Sequence, residues 1–126
     1  MFDIKMNTNK NALLCVLSGN FDEGEARAYA KKFKEGVDKL KPGFIVISDL
    51  TDFSPAMNEA KDIIQEAIKY SASKGLSRVI RVVADSVGSK VGSIHLSRTA
   101  RELGYEVDIV NTMEEAKMKL EKLTKS

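Results

Sequence analysis

Apolar positions follow two rhythms along this chain, and the alternation between them predicts the order of elements. Residues Ile4 to Asn9 and Ala12 to Ser18 lean apolar and flank the turn-prone Asn7-Thr8-Asn9-Lys10-Asn11. That arrangement predicts a β-hairpin. Gly19-Asn20 is expected to break the second strand. Asp22 followed by Glu25 reads as a capping box, and Ala26, Tyr29, Ala30, Phe33, Val37 and Leu40 recur at helical spacing. A helix from about Glu23 to Leu40 is expected, stopped by Pro42-Gly43. The apolar run Phe44 to Leu50 reads as a strand covered on both faces. Ser54-Pro55 predicts the next helix start, with Ser54 as N-cap and Pro55 at the first helical position. Met57, Ala60, Ile64, Ala67 and Ile68 supply its buried stripe, and Lys74-Gly75 ends it.

Val79 to Ala84, with arginines at 78 and 81, predicts a further strand. The loop Asp85 to Gly92 leads to a helix over roughly Ser93 to Leu103, closed by Gly104. Tyr105 to Val110 reads as a short strand. Thr112 with Glu115 caps a last helix with Met113, Ala116, Leu120 and Leu123 on one face. The order is ββαβαβαβα. It predicts an α/β fold: a mainly parallel sheet of four or five strands with about four helices, and the first strand antiparallel at an edge. Val46, Ile47, Val82, Val83 and Ile109 are the expected core of that sheet.

Length and composition bound this picture. The 126 residues, 43% hydrophobic, suit one domain spanning 1–126 with one core. Acids and bases are interspersed to a net charge of +2, too balanced to point to nucleic acid. The basic run Lys31-Lys32-Phe33-Lys34 reads as the solvated face of a helix. Apolar runs such as Phe44 to Ile47 are too short to span a bilayer, and the first residues lack a secretory pattern. Cys15 is the single cysteine and lies in an apolar run, which suits a core residue in a reducing, cytoplasmic compartment.

Few residues carry candidate chemistry. Ser54, at the expected helix start, is either a cap or a phosphorylation site, because a helix N-terminus stabilises added negative charge. Asp52, Phe53 and Met57 belong to the same turn, where Phe53 is either tucked under the helix or offered to a partner. The segment Gly88-Ser89-Lys90-Val91-Gly92-Ser93 follows a strand and opens a helix, so its backbone N–H groups, with Gly88, Ser89, Lys90 and Ser93, could meet an anion. Its glycine spacing fits neither a Walker loop nor a dinucleotide fingerprint. His95, the only histidine, has no companion at a metal-ligand spacing. Asp49, Asp52 and Asp85 fall near strand ends, as in Mg²⁺-holding phosphoacceptor domains, but without the initial acidic pair. No catalytic constellation, metal site or cofactor loop is found, so a non-enzyme without cofactor is expected.

Taken together, Leu17-Ser18-Gly19-Asn20-Phe21-Asp22, Ile45 to Ser54, Leu103-Gly104-Tyr105-Glu106-Val107 and Asn111 to Ala116 resemble the STAS domain and its SpoIIAA-like relatives. STAS denotes the sulphate transporter and anti-sigma antagonist type. The resemblance covers nearly the whole chain and rests on order and spacing. The family signature Asp-Ser/Thr-Ser-Gly reads Asp52-Phe53-Ser54-Pro55 here. The resemblance implies a regulatory module that binds a protein partner, often a kinase-like anti-sigma factor, with phosphorylation at the position nearest Ser54. A homodimer stays open, while the short apolar runs and balanced charge point to no membrane and no nucleic acid. The alternative is a small-ligand or lipid-binding domain using the crevice at the strand carboxyl ends. Adjacent Ile63 and Ile64 discriminate: both cannot face the core directly, and an uncovered surplus would mark a docking face.

Overall fold

The computed structural model describes residues 1–55, 58–83 and 100–124, and side chains outside 20 and 53–61 within them. The elements are β1 (Phe2–Asn7), β2 (Ala12–Phe21), α1 (Glu23–Asp38), β3 (Ile45–Pro55), α2 (Asn58–Ser73), β4 (Arg78–Val82), β5 (Glu106–Val110) and α3 (Met113–Thr124). Residues 100–103 are also helical. The five strands form one sheet in sequence order, β1-β2-β3-β4-β5. β1 runs antiparallel to β2, and every later pairing is parallel. The sheet is therefore mixed, with its antiparallel strand at one edge, as expected.

Strand parity explains the two layers. Leu13, Cys15, Leu17, Val46 and Val79 point to one face, under Ala26, Tyr29, Phe33 and Val37 of α1 and Ala67 and Ile68 of α2. Ile45, Ile47, Ile80, Val82 and Val110 point to the other, under Ala116 and Leu120 of α3. Successive right-handed crossovers in one direction along a sheet place their helices on one face, so α1 and α2 share a side. The helix after the last strand folds back over the opposite face. Phe21, Phe33 and Phe44 are fully buried, each worth about 1.5–3 kcal/mol relative to exposure. Phe2, Tyr29 and Phe33 extend an aromatic cluster with centroids 5.6 and 5.7 Å apart.

The local signals work as the sequence implies at several ends. Lys10 N donates to Asn7 Oδ1 (3.1 Å) in the hairpin turn, where Asn11 takes a left-handed φ of 53°. Asp22 Oδ1 accepts from Glu25 N (2.8 Å) at the start of α1, and Thr112 Oγ1 accepts from Glu115 N (3.2 Å) at the start of α3. Val46, Ile47, Val82 and Val83 are buried.

Three expectations are corrected. Gly19-Asn20 does not end β2; the strand absorbs a register shift between Val16 and Ser18, Gly19 adopts φ 75°, and pairing continues to Phe21. Ser54 and Pro55 do not open α2. They are the last residues of β3, paired with Asn20 and Phe21, and the helix begins at Asn58. The long β2 supplies a partner ladder, and a residue before proline disfavours helical backbone, so the chain stays extended. Ile109 is not core: it is 41% exposed, because β5 is an edge strand. Smaller differences lie at ends: α1 stops at Asp38, two residues before Leu40, where the backbone of Lys39 caps it.

Candidate functional site

The turn singled out in the sequence falls at the end of β3, beyond its last pair with the described β4. β4 ends at Val82, which is paired with Asp49, so among the described residues only β2 pairs with β3 beyond that point. Asp52, paired with Ser18, is exposed on this projection. Asp49 is engaged locally, accepting from Thr51 N (3.1 Å) and Thr51 Oγ1 (2.7 Å). Among the described residues no three acidic, histidine or cysteine side chains gather as a metal site. The backbones of Phe53 and Ser54 lie on the same projection, next to Asp52; their side chains, and the whole of Met57, Asp85, Gly88, Ser89, Lys90, Ser93 and His95, lie outside the described residues. The structure thus brings Asp52, Phe53 and Ser54 together on one strand end.

The adjacent isoleucines of α2 are both partly covered. Ile63 and Ile64 are half-buried and pack against the core, and Ile68 is buried. The large apolar side chains left exposed among the described residues are Met1, Met6, Ile109, Met118 and Leu123. Two shallow grooves mark the surface. One separates Arg27, Lys31 and Lys34 of α1 from Asp62 and Glu66 of α2. The other runs beside α3 over Leu14 and Ile47, with Lys5, Lys10 and Lys117 at its margin.

Sequence reasoning passed over Arg81. Arg78 and Arg81 are three residues apart in one strand, so they point to opposite faces. Arg78 has partners: Nη1 donates to Asp108 Oδ2 at 2.6 Å, and Lys119 approaches the same carboxylate at 3.7 Å. Arg81 lies on the α1 side and is only 7% exposed. Its Nε is buried without a hydrogen-bond partner, and no carboxylate among the described residues lies within ion-pair distance. Burial pushes its guanidinium pKa down, opposed by the nearby hydroxyls of Tyr105 and Tyr29. The signal was present in the sequence: odd spacing of two arginines in a strand covered on both faces forces one into each layer.

No family model matches this sequence, and no curated protein does. Three solved chains match by structure. One is the Bacillus cell fate determinant SpoIIAA in its phosphorylated form, with a TM-score of 0.64, 13% identity, and coverage of 95% of this chain and 99% of that one. At that identity the likeness concerns the fold. None of the helices among the described residues is long and apolar enough to cross a membrane. The element order, the sheet with one antiparallel edge and the near-complete overlap agree: this chain has the SpoIIAA-like fold of the STAS type.

Proposed function

We propose that this chain is a non-enzymatic regulatory module that binds a protein partner, in the manner of an anti-sigma factor antagonist. The observation that supports it most is the SpoIIAA-like fold over 95% of the chain. The docking surface is the projecting end of β3, where Asp52 is exposed and Ser54 follows it on the strand. Surface segments fixed by a rigid scaffold suit recognition because little order is lost on binding. Ser54 is the regulatory phosphorylation site in this reading. A phosphate there acts by charge at the docking strand and not by capping α2, which begins at Asn58.

Two substitutions separate these roles. Ser54→Asp adds negative charge beside Asp52, whereas Ser54→Ala removes the hydroxyl and leaves the charge unchanged. With the partner isolated from the native host, Ser54→Asp is expected to weaken binding about tenfold, a cost of about 1.4 kcal/mol, and Ser54→Ala to retain wild-type affinity. Equal affinity of all three proteins in a titration would remove Ser54 from regulation. Failure of the wild type to retain any host protein would remove the docking reading itself.

A further inference from the structure

One row of side chains crosses the α1 face of the sheet in register: Ile4, Cys15, Ser48, Arg81 and Ile109. Cys15 is 0% exposed, Ser48 and Arg81 are each 7% exposed, and Ile109 is 41% exposed. Exposure therefore rises along the row from Cys15 to Ile109 at the β5 edge. Its two polar members stand side by side in register, and Arg81 is next to Ile109. A buried guanidinium is costly unless an anion shares its site. Arg78, on the other face of the same strand, meets this requirement through Asp108. Arg81 has no such partner among the described residues, and its Nε has no acceptor among them either.

We propose that Arg81 and Ser48 form the polar end of a site for a ligand bearing one carboxylate on an apolar body, entering at the β5 edge over Ile109. The chemistry follows from the count of charges and the character of the walls. Guanidinium edges present paired N–H donors that match a carboxylate, so Nε can be satisfied by one ligand oxygen. The Ser48 hydroxyl is a second donor beside it in register. One positive charge balances one carboxylate, whereas a phosphate dianion would carry an uncompensated charge into a layer of Tyr29, Cys15 and Tyr105. Exposed Ile109 supplies an apolar wall on the same face. The site is separate from the projection at Asp52 and does not depend on protein docking there.

Octanoate is a suitable probe, with octanol and inorganic phosphate as controls, followed by amide chemical shifts and thermal melts of the full chain. Octanoate is expected to give saturable shifts at the amides of Ser48, Arg81 and Ile109 and to raise the melting temperature. Octanol and phosphate should do neither. Arg81→Met removes the unpaired charge, so it should melt higher than wild type without ligand and lose the octanoate response. Ile109→Glu offers an internal carboxylate to Arg81 across the strand pair. It should also melt higher and bind octanoate at least tenfold more weakly, and being at an exposed position it is expected to fold even if Arg81→Met does not. Absence of saturable shifts in wild type at millimolar octanoate would overturn the site. So would an octanoate response retained in Ile109→Glu, or an equal response to octanol.

Discussion

Cys15 and Tyr29 show how burial dominates the chemistry of a side chain. Burial pushes the Cys15 thiol up to about 12, against a lowering contribution from the Tyr29 hydroxyl that donates toward the sulfur. Tyr29 is likewise raised by burial. A thiol that stays protonated is a poor nucleophile, so Cys15 behaves as a small apolar residue. The folded state holds this proton more tightly than the unfolded chain does. The resulting stability is complete below the unfolded thiol's pKa near 9.0 and is lost as pH rises from there toward about 12. Denaturant titrations of wild type should show stability falling above that point by up to about 1.4 kcal/mol per pH unit from this group. Cys15→Ala, costing about 1 kcal/mol at neutral pH, should flatten the loss in the first unit above the thiol's ordinary value. An identical alkaline slope in both proteins would contradict the burial account. Native protein should also resist thiol reagents until it unfolds.

The elements that were legible in sequence are those whose ends carry their own chemistry. Asp22 and Thr112 announce α1 and α3, because an oxygen at the N-cap answers a backbone donor that nothing else can reach. The start of α2 departs from its local pattern for a related reason. Ser54-Pro55 is a valid helix start locally, but the ladder offered by Asn20 and Phe21 of β2 outweighs it. Such a ladder involves residues thirty or more positions away, and local pattern cannot register it. The end of α2 is a sharper test of element-scale reasoning. Gly75 has φ 105°, and a Cβ there would lie 2.8 Å from the Cα and Cβ of Pro42. Gly104 has φ 87° with nothing within 4 Å of the same position. Gly75→Ala is therefore expected to cost about 2–3 kcal/mol, from strain and collision together. Gly104→Ala should cost only about 1 kcal/mol, from strain alone. Equal losses in chemical denaturation would show that backbone conformation, not the contact with Pro42, governs the α2 end.

At the scale of the whole molecule, alternating strands and helices were enough to reach a mainly parallel sheet with one antiparallel strand at an edge. Which residues the sheet edges leave exposed was not, because edge and centre depend on strand order. Ile109 reads as core in an apolar strand, yet β5 closes one side of the sheet. Arg81 reads as a routine strand arginine until the parity of β4 is combined with cover on both faces. The turn expected before α2 is instead the end of β3, which places Asp52 on a strand paired with β2 beyond the last β4 pair. Its role is tested most directly by placing a photo-crosslinking side chain at position 52 in the protein expressed in its native host. Glu66, an exposed residue on the helix layer, serves as the control position. Docking through the β3 projection requires one discrete heterologous adduct from position 52, absent from position 66 and diminished by Ser54→Asp. No adduct from position 52, or the same adducts from both positions, would contradict a docking surface there.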